Sequence, residues 1–334
     1  MDFKEFMEMV KDSLEKHYGE TYQVRMVDVR KNNGVLLHGI SILQDEKFGN
    51  SNKISPTIYL ENYYRYYKNG MTLQAVVDGI IRIYEEHRID DNISMDFFMD
   101  YEKVRDRIVY KLINYEKNEA LLQEIPHIPY LDMAIVFYYL IENEVFGTAS
   151  ILIYEAHMKS WNIDLNRLSR DAEYNTPRLL NYSIKNMDEM MHQLIYQDVR
   201  KKYVGEEKEC VEEELLEELT DQMMHCLLED ELKVPMYVLT NRNNQNGASC
   251  ILYPGIMETI SEELNSDFYI LPSSIHEVIL LTGQGVENPE ILKEMVRDVN
   301  ETQLAPEEIL SDQVYYFSRK IGKIKICECK SAVK

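Results

Sequence analysis

Apolar residues at Phe3, Phe6, Met7, Val10 and Leu14 follow the three-and-four spacing of one helical face, and Gly19 offers a stop. Tyr22, Val24 and Met26 then alternate with polar residues as in a half-buried strand. Lys31-Asn32-Asn33-Gly34 is a turn signal, and Val35 to Leu43 is the return strand. The switch of parity at Val27 predicts a bulge in this hairpin. Asp45 to Asn52 is polar and reads as a loop. Ser55-Pro56 predicts a helix start, because Ser can accept from free amides and Pro at the first position gives up no needed donor. Asn69-Gly70 ends that helix, and Thr72 caps the next, which runs through Leu73, Val76, Val77, Ile80, Ile81 and Tyr84. Tyr59, Tyr63, Tyr64, Tyr66 and Tyr67 read as a packing face with wet hydroxyls. A stacking platform for bases or sugars would need more cations than Arg65 and Lys68.

The middle of the chain mixes periods. Ile108 to Tyr115 reads as a strand, Asn118 to Ile125 as a short helix, and Tyr130 to Leu140 and Ala149 to Ile153 as strands buried on both faces. Glu155 to Trp161 and Leu165 to Tyr174 look helical, with Asp164 a cap for the second and Pro177 its end. From Gly205 to Asp230 the run GEEKECVEEELLEELTD sets carboxylates around Val211, Leu215, Leu219, Met223 and Cys226, which predicts a solvated acidic helix entered through a linker at Tyr203 to Lys208.

The C-terminal stretch parses into small units. Met236 to Leu239 and Ala248 to Tyr253 flank the turn-rich TNRNNQNG and read as a β-hairpin. Ile256, Ile260 and Leu264 form the inward face of a helix, and Phe268 to Leu271 and Val278 to Leu281 are strands around Pro272-Ser273-Ser274. Asn288-Pro289 opens a helix whose apolar face holds Ile291, Leu292, Met295, Val296 and Val299. Pro306-Glu307 starts a turn of helix, Val314 to Phe317 is a last strand, and the basic tail from Arg319 reads as frayed. The fold class is therefore α+β. The expected organisation is an N-terminal α+β region at 1–104, a mixed middle region at 105–202, an acidic helical linker at 203–233, a C-terminal α+β module at 234–326 and a tail at 327–334.

Charge narrows the function classes. The formal net charge of -22 repels phosphate backbones, so direct nucleic-acid binding is not expected. The opening MDFKEFMEMV lacks the basic-then-apolar order of a secretory signal, and the longest apolar run, Met133 to Ile141, has nine residues against the roughly 20 of a membrane helix. Five cysteines at irregular distances (Cys210, Cys226, Cys250, Cys327, Cys329) suggest no disulfide framework and fit a reducing compartment. The expectation is a soluble cytoplasmic protein.

The order of YVLTN, GASCILYPG, SDFYILPSSIHEVILL and APEEILSDQVY resembles a domain-of-unknown-function family of anaerobic Firmicutes, itself similar to the YtpQ-like proteins. The resemblance extends upstream through ISPTIYLENYYRYYKNGMTLQAVVDGI, LLQEIPHIPYLDMAIVFY and HMKSWNIDLNRLSRDAEYNTPRL. It implies relatives and carries no site residue with it.

Candidate chemistry is sparse. His276-Glu277 is half of a zinc-peptidase motif, but Leu280 stands where the second His belongs. Cys327 and Cys329 supply two thiolates where a structural zinc needs four ligands, and His225-Cys226 completes a set only if the tail folds back. Cys250 as a nucleophile needs a histidine partner, with His276 the nearest in pattern. His127 and Asp132, both in IPHIPYLD, suggest a cleft or a satisfied structural histidine. No phosphate-binding glycine loop, nucleophile elbow or dinucleotide fingerprint occurs. The reading is a non-catalytic protein that binds a macromolecule, most naturally another protein, with no catalytic residue, metal or cofactor assigned. The alternatives are a hydrolase using His276, Glu277 or Cys250, and an acidic nucleic-acid mimic presenting the carboxylates of Glu206 to Asp221.

Overall fold

The computed structural model describes residues 1–44, 55, 57–87, 95–143, 147–204, 213–228, 234–283 and 288–327. The loop expected at Asp45 to Asn52 and the linker residues 205–208 lie outside them. The protein is α+β, with antiparallel sheets. Two compact units divide it: unit 1 comprises Met1–Val109, Lys117–Pro126 and Phe137–Ala172, and unit 2 comprises Tyr110–Glu116, His127–Val136 and Glu173–Lys334. No helix among the described residues is long and apolar enough to cross a membrane.

Unit 1 opens with α1 (Phe3–Tyr18), whose first turn carries a capping box: Asp2 accepts from Glu5 N at 2.8 Å, and Glu5 accepts from Asp2 N at 3.1 Å. Strands β1 (Tyr22–Arg30) and β2 (Leu36–Gln44) pair without a break from Tyr22 opposite Gln44 to Arg30 opposite Leu36, so the bulge expected at Val27 does not form. Short β3 (Thr57–Tyr59) adds to β2. Ser55-Pro56 is accordingly not a helix start. The Ser55 hydroxyl accepts from Ile42 N of the neighbouring strand, and α2 (Glu61–Lys68) begins four residues later than Thr57. Thr72 caps α3 (Leu73–His87) by accepting from Ala75 N at 3.2 Å. Phe6, Val10, Leu14, Ile40, Ile42 and Ile80 form the fully buried centre, with Tyr63, Tyr64 and Tyr67 packed at its edge and Tyr66 exposed.

Next come α4 (Tyr101–Val104), β4 (Ile108–Asn114), α5 (Glu119–Leu122), β5 (His127–Tyr130), β6 (Met133–Asn143), β7 (Gly147–Leu152), α6 (Glu155–Trp161) and α7 (Leu165–Leu179). The expected single strand over Tyr130 to Leu140 is in fact a β5–β6 hairpin, turning at Leu131 (φ 55°) and Asp132. Strand order in this sheet is β4-β6-β5, with β7 also on β6. Asp164 caps α7 as expected, accepting from Arg167 N at 2.8 Å. Pro177 does not end the helix: Leu180 N still reaches Thr176 O at 2.9 Å, and Thr176 Oγ1 accepts from Tyr110 N at 3.0 Å, which holds the last turn in place.

Unit 2 is built on a six-stranded sheet in the order β13-β12-β10-β11-β9-β8. Its strands are β8 (Tyr182–Asn186), β9 (Met236–Asn241), β10 (Phe268–Pro272), β11 (Val278–Thr282), β12 (Tyr315–Ser318) and β13 (Lys323–Ile326). Helices α8 (Met187–Val204) and α9 (Glu213–Leu228) pack on each other between β8 and β9; α10 (Ile256–Glu263) and α11 (Pro289–Thr302) follow. The expected hairpin is ruled out by β9, which already pairs with β8 and β11 on its two sides. It has no free edge for a hairpin partner, and residues 247–252 coil into a 3-10 turn instead. Leu264 is also not an inward residue of α10. It is the half-buried C-cap, while Ile256, Met257, Ile260 and Ser261 are buried. Residues 323–326 of the tail are not frayed: Ile324 and Ile326 are half-buried and alternate with exposed lysines, a common device at a sheet edge.

Candidate functional site

One face of the unit 2 sheet is continuous and apolar. Met236 lies opposite Leu281, and Ile279 lies opposite Leu271. Directly opposed residues share a face and residues two apart on a strand do too, so these four side chains form one floor. The intervening residues Phe268, Ile270 and Leu280 are fully buried on the other face. Two helices stand over the floor. From α8 come Met187 and Met191, one turn apart; from α11 come Leu292, Met295, Val296 and Val299. Asn288 fixes the start of α11 by accepting from Glu290 N at 3.1 Å, and Pro289 occupies the first turn. Together these residues, with Pro272 and Ser273, enclose a groove of about 460 Å³. Among the described residues Ser273 is the sole polar side chain in the lining, and no charged one belongs to it.

The walls are split between packing and exposure. On α11, Leu292 and Val296 are buried against the sheet, whereas Ile291, Met295 and Val299 recur every four residues with 51, 46 and 37% of their surface open. On α8, Leu194 continues the line of Met187 and Met191 and is 61% exposed. Methionine supplies four of the lining side chains, Met187, Met191, Met236 and Met295. An unbranched, polarizable thioether adapts to irregular apolar partners, and that property suits a recognition surface.

The residues singled out by sequence for chemistry lie elsewhere. His276 and Glu277 sit in the turn before β11, not within a strand or on a helix. His276 is committed to holding loops: its Nδ1 accepts from Asn246 N at 3.2 Å, its carbonyl accepts from Thr240 Oγ1 at 2.8 Å, and its amide donates to Ser274 Oγ at 3.0 Å. Nε2 lies 3.8 Å from Glu308 Oε1. Cys250 is fully buried, donates to Thr240 O at 3.3 Å, and burial pushes its thiol up to about 12. Its proton is thus directed to a carbonyl and not to the His276 ring. Cys327 packs at the edge of the Leu271, Leu281 and Val296 cluster, and burial raises its thiol too; Cys329 lies outside the described residues.

Asp132, for which the sequence suggests a cleft shared with His127 as one of two readings, lies in the β5–β6 turn and accepts from Ser311 Oγ and from Tyr315 Oη, each at 2.6 Å. Burial, then the Asp132 charge, pushes the Tyr315 hydroxyl far above its ordinary range, so it stays a proton donor. His127 lies opposite Val136 and edge-on to Tyr115, at 6.0 Å between ring centroids. No group of three or more His, Cys, Asp or Glu suited to a metal ion occurs among the described residues.

The TNRNNQNG segment is a scaffold as well. The Asn241 side chain donates to Gln245 O at 2.8 Å and accepts from Asn243 N at 3.0 Å, while Asn244 and Asn246 adopt positive φ. Sequence reasoning found the groove's floor and the α11 wall, but it missed the α8 wall. The spacing of Met187, Met191 and Leu194 was the available signal.

Fold and site together define an α+β protein with an uncharged, methionine-lined groove. The chain belongs to a family of unknown function, DUF5688, which matches residues 3–319. No curated protein and no solved structure matches it.

Proposed function

We propose that this is a non-catalytic binding protein, an accessory or regulatory component that engages another protein through the groove between α8 and α11. The observation that carries this reading is the groove's lining: an apolar concavity of about 460 Å³ bordered by exposed Ile291, Met295, Val299 and Leu194. Exposed large apolar side chains gathered on one surface are a mark of recognition sites, whereas the same residues scattered singly mean little. A cytoplasmic setting belongs to the same reading and rests on the irregular cysteine spacing.

The test is capture from the native cell with the tagged full chain, comparing wild type with Met191→Gln/Met295→Gln. Both side chains reach solvent or lie near it, so the variant should melt within a few degrees of wild type. The expected result is a protein recovered by wild type and lost by the variant. Capture indifferent to both substitutions, together with turnover of a chromogenic ester that His276→Gln or Cys250→Ser abolishes in folded protein, would replace the binding reading with the hydrolase.

A further inference from the structure

Three features of the groove specify what fits it. The first is hydrogen-bonding capacity. The floor strands β9, β10 and β11 are each paired on both sides, so their backbone donors and acceptors are spent within the sheet. Among the described residues the lining offers only Ser273 besides. An extended peptide laid across this face would bury its own amides and carbonyls without partners, and each such group pays its full desolvation penalty. A small polar metabolite meets the same difficulty. An α-helix does not, because its backbone is satisfied internally.

The second feature is length and period. Ile291 to Val299 on one wall spans about 12 Å and Met187 to Leu194 on the other about 10 Å at 1.5 Å per residue, close to two helical turns each. That matches an occupant anchored at positions i, i+3 or i+4, and i+7.

The third is charge. The chain carries -22 overall, and of the two helices that wall the groove α11 holds four carboxylates against two basic residues while α8 holds three of each. Asp298 borders the exposed α11 stripe, beside Val299 and three positions from Met295, and no ion pair engages it among the described residues. Charged residues belong at the rim of an interface and steer the approach of a partner of opposite sign.

We infer that the groove's occupant is a basic amphipathic α-helix of a partner protein, its apolar stripe on the methionines and its Lys or Arg residues facing the acidic surroundings. This rests on the binding-protein reading and adds the chemistry of the partner. The probes are fluorescent 14-residue peptides measured by anisotropy against the full chain: a Leu/Lys peptide of helical period, the same composition alternating as a strand, and a Leu/Glu peptide of helical period. Dodecanoate serves as a competitor.

The helical Leu/Lys peptide should bind at least tenfold more tightly than either other peptide, and should gain helical circular dichroism on binding. Met191→Gln/Met295→Gln leaves the net charge unchanged, so a tenfold or greater loss in that variant assigns binding to the groove and not to general attraction. Equal binding by the alternating or Leu/Glu peptide overturns the inference, as does indifference to the double substitution or failure of every probe to bind. Dodecanoate binding without peptide binding makes the site an acyl-chain pocket and also overturns it. In any of these cases, cellular capture that depends on Met191 and Met295 keeps the broader reading, and capture that ignores them removes it.

Discussion

Gly247→Ala is the substitution for which the structure sets the sharpest contest. Gly247 lies outside the left-handed φ region, so alanine is conformationally allowed, and by reducing the freedom of the unfolded chain it should stabilise by about 0.4–1 kcal/mol. Space decides otherwise. A methyl group there would stand 2.3 Å from Thr240 Oγ1, 2.6 Å from Asn241 N and 2.6 Å from His276 O. Two of the three are backbone atoms of a central strand and of the turn before β11, and neither can rotate aside. Restoring ordinary contact means moving them apart by close to 1 Å, which strains the Thr240 to His276 hydrogen bond of 2.8 Å as well. Overpacking of this kind typically costs about 1–3 kcal/mol. Less the unfolded-state gain, the net expectation is destabilisation of up to about 2.6 kcal/mol, or up to roughly 10 °C in melting temperature for a unit of this size.

Thermal and urea unfolding of the full chain measure it. In a Thr240→Ala background the same change should cost less but still destabilise, because only one of the three collisions has been removed. A Gly247→Ala protein that melts at or above wild type would refute the reasoning and mean that the loop's close approach is not fixed.

Three further outcomes are expected. Ile260→Ala, which empties a fully buried site on α10, should cost about 2–5 kcal/mol, while Leu264→Ala at the half-buried C-cap should cost clearly less; matched unfolding curves decide. Cys250, buried and with its thiol raised to about 12, should resist iodoacetamide at pH 8 in native protein and react only in urea, as peptide mapping would reveal. Asp267 is lowered: burial pushes its pKa up, but bonds from Arg319 N, Ser318, Tyr316 and the Arg319 guanidinium outweigh it. Its contribution to stability is therefore present above about pH 4 and lost as pH falls through the lower folded value, so Asp267→Asn should be less stable than wild type at pH 7, by a margin that shrinks as pH falls below about 4.

The legible parts of the fold are those with a local cause. Helix α1 has an acidic capping box, α3 has Thr72 and α11 has Asn288-Pro289, and each starts where those residues place it. The illegible parts are set by tertiary partners. Helix α8 meets α9 on one side and the groove on another, so its apolar residues are spread around the helix and the line of Met187, Met191 and Leu194 does not stand out among them. Ala248 to Tyr253 is an apolar run too short to separate strand from buried turn by period, and what decides is that β9 has neighbours on both edges. Ser55 satisfies a strand amide because β3 happens to lie beside β2. The groove shared this fate: its floor strands β9, β10 and β11 could be read, but the α8 wall that makes it concave could not.

The proposed placement of function in unit 2 follows from where interaction capacity is left over. Polar groups that attract suspicion as chemistry are consumed by the fold: both Asp132 oxygens accept 2.6 Å bonds, the His276 ring takes Asn246 N, and the Asn241 amide closes a loop. A group already held by several internal bonds must lose them before it can serve a substrate. The apolar side chains of the α11 stripe are in the opposite condition. Each leaves part of its surface in water, where covering it is worth about 25 cal/mol per Å², and three of them stand in a row beside a concavity that already excludes charge. A ligand gains there without displacing anything the fold needs. For that reason the groove, and not the His276 turn or Cys250, is where a substitution should separate binding from folding.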